Sequence, residues 1–282
     1  MEKIKIADIL KKYTMVIALI LVIIFFQIGT EGKILFAQNI NNLISQNAYV
    51  FVLATGMLLC ILTGGNIDLS VGSIVCFVGG IGAVMMANGT NMIFAVIVML
   101  VIGLLVGMFQ GFWIAYIKVP PFIATLAGMY AFRGLSNVVL QGYAVSVTDT
   151  AFLNIFGGGA ECYVPDFFGG ENLNITCIVV GIIVVAVYVL MTVNNRISRR
   201  AKGYEVGSLS GTLARVIVVG AIVLWLFYKL ANFRGISAAL IWIAVILLVY
   251  SYITSKTTIG RYLYAVGGNE KATRLSGVNT KK

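Results

Sequence analysis

The sequence has no histidine, only three prolines and few charged residues, which make up 11% of its 282 positions. Without histidine, the chain has no imidazole for acid–base catalysis, metal ligation or proton relay. It also contains no G-x-x-x-x-G-K-[ST] phosphate loop, the motif that cradles a nucleotide. Its four cysteines, Cys60, Cys76, Cys162 and Cys177, lack metal-binding spacing. A disulfide between Cys162 and Cys177 is an alternative to four free thiols.

Apolar residues dominate what is present: they make up 60% of the chain, and the mean hydropathy is +0.99. Soluble domains are about half apolar and about a quarter charged, so this composition excludes an ordinary soluble fold. The apolar residues gather in runs of about 16–25, the length that crosses a hydrocarbon layer of about 30 Å. The runs fall at about 14–28, 48–63, 71–87, 92–117, 122–140, 174–193, 214–231 and 237–253. We therefore predict an all-α, polytopic transmembrane helical bundle of about eight spans, forming one domain over residues 1–282.

Basic and acidic residues separate into alternate segments of the chain. Most of the basic ones are Lys3, Lys5, Lys11 and Lys12 before the first run, Arg196, Arg199, Arg200 and Lys202 in segment 194–213, and Lys256, Arg261, Lys271, Arg274, Lys281 and Lys282 in segment 254–282. The intervening outer segments carry Glu31, Asp149, Glu161, Asp166 and Glu171, and their basic residues are Lys33, Arg234 and, at a helix end, Lys229. Because short cytoplasmic segments are enriched in Lys and Arg, this pattern predicts a cytoplasmic N-terminus in the cell membrane. It also accounts for the net charge of +10 without a nucleic-acid partner.

The longest segment predicted to lie outside, 141–173, is rich in glycine and aromatic residues and carries acids but no bases. We expect a short amphipathic or re-entrant piece within it, around Ala151–Phe156. Its aromatic residues suit either the membrane interface or contact with an external partner.

The segment TGGNIDLSVGS, residues 63–73, interrupts the apolar pattern between the second and third runs. Gly64 and Gly65 should break the helix, and a break at membrane depth is tolerated only beside protein or a water-filled path. The polar residues that follow are Asn66, Asp68, Ser70 and Ser73. These are candidates for a substrate pathway, because polar groups inside a membrane are costly. Asp68 could equally serve as an N-cap of the third helix, accepting from the N–H of Ser70 or Val71.

A second break, VPPFIATL, contains the tandem prolines Pro120 and Pro121. The second proline suits the first turn of a helix, which places a tight cytoplasmic-side turn here. Thr125 and Arg133 follow in the fifth run and join the candidate pathway. An arginine at the centre of a span costs roughly 2.5–3.5 kcal/mol on insertion scales, so Arg133 needs a partner. Asp68 is one candidate for that partner.

A third segment, GRYLYAVGGNEKATRLSGV, follows the last run within the cytoplasmic segment 254–282. Asn269 is a good N-cap, and a short helix from Glu270 should end near Gly277. Ala272 and Leu275 would share one face of it. The residues that could form a docking surface here are Gly267, Gly268, Asn269, Glu270, Ala272, Ser276 and Gly277. A merely solvated surface helix is the alternative.

At these three segments the chain resembles the permease subunits of ribose/xylose-type ABC importers of monosaccharides. GGNIDLSVGS resembles that family's GGIDLSVGS-type segment, and VPPFIATLAGMYAFRGL resembles its VPPFIATLG…RG segment. TTIGRYLYAVGGNEKATRLSGV resembles its GR…YAIGGN…AA…SGI segment, with Thr273 where the family usually has a second alanine. The three motifs occur in the family's order, and the resemblance covers the chain from about residue 40.

The resemblance implies a type II-like ABC importer permease. Two permease copies would form the pore, two cytoplasmic ATPase subunits would dock on Gly267–Val278, and an external solute-binding protein would deliver a sugar of the xylose, ribose or galactose class. The chain would be a transport subunit rather than an enzyme, with no cofactor of its own, and ATP would be used by the partner.

Family members continue past the SGV-type segment with further spans, so the resemblance implies a C-terminally truncated chain. A branched-chain amino acid type of ABC permease is the nearest alternative, because it shares the IDLS-type segment. Ion-coupled transporters and channels are a further alternative, and they usually place acids at mid-membrane. Asp68 is the one acid in or near the runs, which argues against proton coupling. A membrane enzyme is disfavoured, because the chain lacks the groups needed for acid–base or metal chemistry.

Overall fold

The computed structural model describes residues 6–157, 161–171, 173–204 and 206–280, with side chains from residue 13 onward. Within them the chain forms eleven α-helices and a short 3-10 helix, Lys33–Leu35. The α-helices are α1 (Ile6–Gly29), α2 (Ala37–Leu62), α3 (Val71–Ala87), α4 (Met92–Ala115), α5 (Pro121–Leu140), α6 (Thr150–Phe156), α7 (Ile175–Ala201), α8 (Leu209–Ala231), α9 (Ala238–Lys256), α10 (Thr258–Gly268) and α11 (Glu270–Leu275).

Every predicted apolar run forms a helix, which confirms the all-α prediction. Six helices, namely α2, α4, α5, α7, α8 and α9, are long and apolar enough to cross a membrane. The apolar part of α1 and the whole of α3 are shorter apolar helices. The count of about eight spans therefore stays a prediction. The short piece expected around Ala151–Phe156 is present as α6.

Side-chain caps fix where several of these helices begin. Asn91 accepts from the N–H of Ile93 at 2.8 Å ahead of α4, and Asn174 accepts from the N–H of Cys177 at 2.8 Å ahead of α7. Ser208 does the same for α8. Each cap satisfies one of the first N–H groups of a helix, which have no partner inside it.

Several helices extend beyond the apolar runs that predicted them, α2 and α7 among them. α2 begins at Ala37 rather than near residue 48, and α7 continues to Ala201 through the arginine cluster. Backbone hydrogen bonds continue a helix through polar residues once it is nucleated, so hydropathy marks the membrane-crossing part and not the helix ends. α10 was not predicted, although Thr257 caps it by accepting from the N–H of Gly260 at 3.2 Å.

The described chain divides into two compact units. One comprises Met1–Gln46 with Tyr163–Ser237; in it α7 packs along α8, and the buried Asn41 side chain donates to the carbonyl oxygens of Phe233 and Gly235, each at 3.2 Å. The other comprises Asn47–Cys162 with Ala238–Lys282 and is built around α3, α4 and α5. All four cysteines, which lie in the described residues, are free thiols, so the disulfide alternative is not realised.

Candidate substrate pathway and coupling site

The first break leaves α2 through the two glycines that the sequence singled out. Gly64 and Gly65 have φ angles of +113° and +81°, a left-handed backbone that side-chain-bearing residues rarely adopt. Beyond them, the Asn66 side chain donates to the hydroxyl of Thr63 at 3.1 Å. The chain is thereby folded back on the end of α2 before it enters α3, as the sequence predicted for a broken helix.

Asp68 holds the start of α3. Its Oδ1 accepts from the N–H of Ser70 at 2.8 Å, which confirms the predicted capping bond. Ser70 itself is the N-cap residue and is fully buried, so the charged carboxylate organises the first turn from two residues upstream. Asp68 therefore makes the predicted hydrogen bond, but the N-cap residue is Ser70 and not Asp68 as predicted, and a contact of Asp68 with substrate stays a prediction.

Ser70 also joins α3 to α4 through Gln110. The Ser70 hydroxyl lies 2.5 Å from Asp68 Oδ1 and 2.9 Å from Gln110 Oε1, so one hydroxyl proton faces two acceptors. In the same orientation Gln110 Nε2 is buried without a partner among the described residues. The two ends of a side-chain amide are assigned from their hydrogen bonds. The reversed orientation resolves the conflict at Ser70, giving a chain in which Gln110 donates to Ser70 and Ser70 donates to Asp68, and it leaves the amide oxygen rather than the amide nitrogen without a partner in the described part of the chain.

The sequence prediction did not include Gln110. It is the single side-chain amide in α4, an otherwise apolar helix, and it is 6% exposed. An added Cβ on Gly128 of α5 would overlap the end of this side chain, so the glycine makes room for the amide between the helices. A lone amide inside an apolar run is energetically costly, and this feature of the sequence could have identified Gln110 as a candidate site residue.

Thr125 of α5 lies against the first break, as its place in the predicted pathway required. It is 2% exposed, and its hydroxyl donates to the carbonyl oxygen of Pro121 at 2.8 Å and lies 3.3 Å from that of Ile67. α5 begins at Pro121 with Pro120 as its N-cap, which confirms the predicted helix start. The two breaks are thus in contact in the folded chain.

Two of the proposed pathway residues do not join this cluster. Ser73 is half-buried in the first turn of α3, and Arg133 is exposed on α5. No ion pair joins Arg133 to Asp68, both of which are described, so that candidate pairing is wrong. The reason is helical phase: Thr125, Phe132 and Ser136 form the buried face of α5, and a residue next to Phe132 is turned about 100° away from that face.

A cavity of about 630 Å³ opens between α4 and α5 beside this cluster. Its lining includes Gln110 and Gly128 but is otherwise apolar, with residues such as Phe109, Trp113 and Phe132. A sugar needs several hydrogen-bonding groups, and one amide does not supply them. This cavity by itself is therefore a poor sugar site, and the polar break at Asn66–Ser70 is the stronger candidate.

The predicted coupling helix forms as α11. Asn269 caps it by accepting from the N–H of Ala272 at 3.0 Å, and Gly277 follows it with a φ of +90°. The buried residue of α11 is Thr273, whose hydroxyl donates to the carbonyl oxygens of Ala265 and Asn269, each at 2.8 Å. Thr273 thus fixes α11 to the end of α10.

The residues proposed for docking lie on the surface of this segment. Glu270, Ala272 and Ser276 are exposed, and Leu275 is 89% exposed. An isolated leucine left this open beside a charged residue is available to a partner protein. Gly267 and Gly268 belong to the last turn of α10 instead.

Gly267 connects the coupling segment to the first break. An added Cβ on Gly267 would overlap the carbonyl oxygen of Leu62 and would lie 3.7 Å from the amide nitrogen of Gly64. The backbone of α10 therefore rests directly on the last residue of α2, where the break begins. No sequence spacing predicts this contact, because the two residues are far apart in the chain.

On the segment predicted to lie outside, Asp166 organises the chain that leads into α7. Its carboxylate accepts from the N–H groups of Phe168, Gly170, Ile175 and Thr176 and from the Thr176 hydroxyl, over 2.7–3.2 Å. Desolvation would raise the pKa of Asp166, but these hydrogen bonds outweigh it and hold that pKa well below its usual value. Among the described residues, no group of three or more acids or cysteines could hold a metal ion.

Helices long and apolar enough to cross a membrane, interrupted by polar breaks that contact a short C-terminal helical segment, are typical of a polytopic membrane protein. Residues 39–282 match the family model described as branched-chain amino acid transport system / permease component. The chain belongs to this family and is a multi-pass membrane protein.

Individual relatives are named for sugars. The xylose transport system permease protein XylH of Escherichia coli (strain K12) is 35% identical over 274 residues, which are 97% of this chain and 66% of that protein. XylH of Haemophilus influenzae is 36% identical over 97% of this chain and 70% of that protein. The ribose import permease protein RbsC of Escherichia coli is 29% identical over 87% of this chain and 54% of that protein. The chain thus spans just under two thirds of the length of the first of these relatives. No solved structure matches it.

Proposed function

We propose that this chain is a transmembrane permease subunit of an ATP-driven ABC importer that carries a monosaccharide across the cytoplasmic membrane. The observation that carries the proposal is the identity of 35–36% with xylose permeases along 97% of the chain. The family description also covers branched-chain amino acid transport, which keeps that substrate class as the second candidate. The relatives' names favour the sugar.

In this mechanism the chain hydrolyses nothing itself. Two copies form the pore, an external binding protein delivers the sugar, and cytoplasmic ATPase subunits dock on Glu270, Ala272, Leu275 and Ser276. Closure of the ATPases pushes α11, which Thr273 fixes to α10. α10 then transmits the displacement to the end of α2 through Gly267 and Leu62.

The pathway runs past the first break in this proposal. The Asn66, Asp68 and Ser70 cluster changes shape when α2 and α10 move together, because it begins at the two glycines that follow α2. Helices that break beside polar groups are a common way for transporters to build a site that opens and closes. Thr125 and Gln110 hold the cluster against α5 and α4 while it does so.

We further propose that the N-terminus, the breaks at 63–70 and 116–120, and the C-terminal segment all face the cytoplasm. The charge distribution supports this orientation, although Lys3, Lys5, Lys281 and Lys282 lie outside the described residues. Within the second unit, contacts among 62–67, Thr125 and Gly267 are what a common side of the membrane requires. Labelling of Glu270→Cys and Glu31→Cys by an impermeant thiol reagent in whole cells tests it: reaction at residue 31 and none at 270 is expected, and the reverse pattern contradicts it.

Reconstitution tests the function. The chain is co-expressed with an ABC ATPase and a solute-binding protein of a monosaccharide importer and placed in proteoliposomes with labelled xylose, ribose, galactose or leucine. ATP-dependent uptake of a monosaccharide and none of leucine is expected. Leucine uptake alone would establish the branched-chain amino acid alternative, and uptake driven by an ion gradient without ATP would establish a secondary transporter.

A further inference from the structure

A basic pocket lies between the end of α7 and the start of α8, in the first unit. Its volume is about 550 Å³. Arg196 and Arg199 of α7 and Arg215 of α8 line it, together with Ser208 and Gly211 at the beginning of α8. None of the described residues that line it is acidic.

The arginines converge because of how side chains leave a helix. Side chains tilt towards the N-terminus of their own helix, and α7 and α8 follow each other through a short connection and pack along one another. The side chains of Arg196 and Arg199 thus lean back along α7, whereas that of Arg215 leans towards the start of α8. All three line the same pocket.

Arg196 is held in place for binding. Its Nη1 donates to the Thr212 hydroxyl at 2.6 Å and lies 3.4 Å from the carbonyl oxygen of Ser208. These bonds occupy one guanidinium nitrogen, and a guanidinium presents five N–H groups in a planar fork. The remaining N–H groups of a fixed guanidinium suit the paired oxygens of a phosphate.

The start of α8 adds a second attraction for an anion. The first N–H groups of a helix have no partner inside it and carry partial positive charge. The Ser208 hydroxyl caps the N–H of Gly211 at 3.2 Å. The pocket thus combines the N-terminus of a 23-residue helix, α8, with three arginines from two helices.

The position of the pocket along α7 points to a lipid. Residues 175–193 contain no charge, and 19 helical residues extend about 28 Å, close to the thickness of the hydrocarbon layer. Arg196 therefore lies where the headgroups begin. Tyr188 and Thr192 line the side of the pocket nearer the membrane interior, and a tyrosine at that level is typical of the interface.

We propose that this pocket binds the phosphate of an anionic phospholipid headgroup. The neighbouring sequence has the corresponding charge: residues 196–215 contain Arg196, Arg199, Arg200, Lys202 and Arg215, against the single acid Glu205. Basic pockets between helices at the cytoplasmic end of a bundle are suited to such headgroups. A bound lipid would bridge the end of α7 and the start of α8, beside the short connection between the two helices.

The proposal makes no use of sugar transport, so the two can fail separately. The full chain is purified in detergent, and binding of phosphatidylglycerol, phosphatidylcholine and inorganic phosphate is measured by native mass spectrometry. The pocket variant is Arg196→Gln/Arg215→Gln. The matched control is Arg200→Gln/Lys202→Gln, which removes the same charge from the same segment but alters no residue that lines the pocket.

Phosphatidylglycerol should bind to the unaltered chain, and the pocket variant should bind it about tenfold or more weakly, since each basic residue near a membrane surface contributes several-fold. The control variant should lose less than about threefold, because Arg200 and Lys202 do not line the pocket and salt screens their more distant charges. Raising the salt from about 50 to 200 mM should weaken binding to the unaltered chain, because salt screens these charges.

Three results would overturn the proposal. Equal losses in both variants would reduce the effect to general charge. Inorganic phosphate that binds as tightly as phosphatidylglycerol would make this a site for a free anion. Phosphatidylcholine that binds as tightly would remove the need for a net negative lipid. The salt dependence of the unaltered chain keeps the test valid if the pocket variant does not fold.

Discussion

Gly267, in the last turn of α10, has no room for a side chain because an added Cβ would overlap the carbonyl oxygen of Leu62, the last residue of α2. The glycines of the first break begin two residues after Leu62, and the cap of α11, Asn269, lies two residues after Gly267. The helix that we propose to meet the ATPase is therefore one backbone contact away from the proposed pathway.

Gly267→Ala should uncouple ATP hydrolysis from sugar uptake. Overlap of this kind forces the backbone to shift at a cost of about 1–3 kcal/mol, so α10 should move off the end of α2. Uptake per ATP hydrolysed in proteoliposomes should fall about fivefold or more, given that cost. Gly268→Ala is the control, because a Cβ there meets open space. Equal uptake in both variants would remove Gly267 from the coupling route.

Asp68→Asn should separate the capping role of Asp68 from its role in the pathway. Asparagine is nearly as good a cap as aspartate, so thermal stability in detergent should change little, whereas uptake should fall if the charge serves the pathway. Asp68→Ala should lower both, with a stability loss of about 0.5–2 kcal/mol. Full uptake with Asp68→Asn at normal membrane abundance would leave Asp68 with the cap alone.

Hydropathy and the residues that mark helix ends were sufficient to predict part of the structure. Apolar runs predicted the eight apolar helices, Gly64 and Pro121 marked a helix end and a helix start, and Asn269 marked a cap. Each of these depends on neighbours in sequence. Contacts between distant residues were not predictable in the same way.

Gln110 and Arg133 illustrate the difference. The partner of Gln110 lies 40 residues earlier in the chain, and only the packing of α3 on α4 brings the two together. The pairing of Arg133 with Asp68 was wrong because it ignored the phase of α5, whose buried face excludes Arg133. α2 was drawn too short because polar residues can continue a helix beyond its apolar run.

Ser70 and Gln110 should be energetically coupled. The variants Ser70→Ala and Gln110→Leu and their double variant form a thermodynamic cycle, read from unfolding of the purified protein. We expect an interaction free energy of about 0.5–1.5 kcal/mol, the usual range for hydrogen bonds between membrane helices. The control cycle pairs Ser70→Ala with Asn91→Ala at the other end of α4, where effects should add to within about 0.5 kcal/mol. Additivity in the first cycle would contradict the proposed hydrogen-bond chain.

Glu270→Lys should weaken docking of the ATPase without unfolding the chain, because Glu270 is exposed at the start of α11. The reversed charge also faces the positive end of the α11 backbone, which favours an acid. Co-purification of the ATPase should fall, and bulky replacements at Ser276 or Gly277 should act in the same direction. Glu31→Lys reverses an exposed acid in a segment predicted to lie outside and should leave co-purification unchanged. Normal docking and uptake in all the α11 variants would defeat the assignment.

Asp166 should make the segment before α7 sensitive to acid. Its folded pKa is depressed by hydrogen bonds to the carboxylate, so its stabilising effect is fully present above its unfolded pKa of about 3.9 and is lost as the pH falls towards the folded pKa. Hydrogen exchange at the amides of Gly170 and Thr176 should therefore be slow at neutral pH, after correction for intrinsic rates, and lose protection below about pH 4. Asp166→Asn should remove most of that protection already at neutral pH, because an amide oxygen cannot replace a carboxylate that accepts five hydrogen bonds.

Asp149→Asn is the control: Asp149 caps α6 through a single bond from Phe152, so its replacement should leave Gly170 and Thr176 protected. Equal protection in the unaltered chain and Asp166→Asn at neutral pH would show that the carboxylate does not hold this segment.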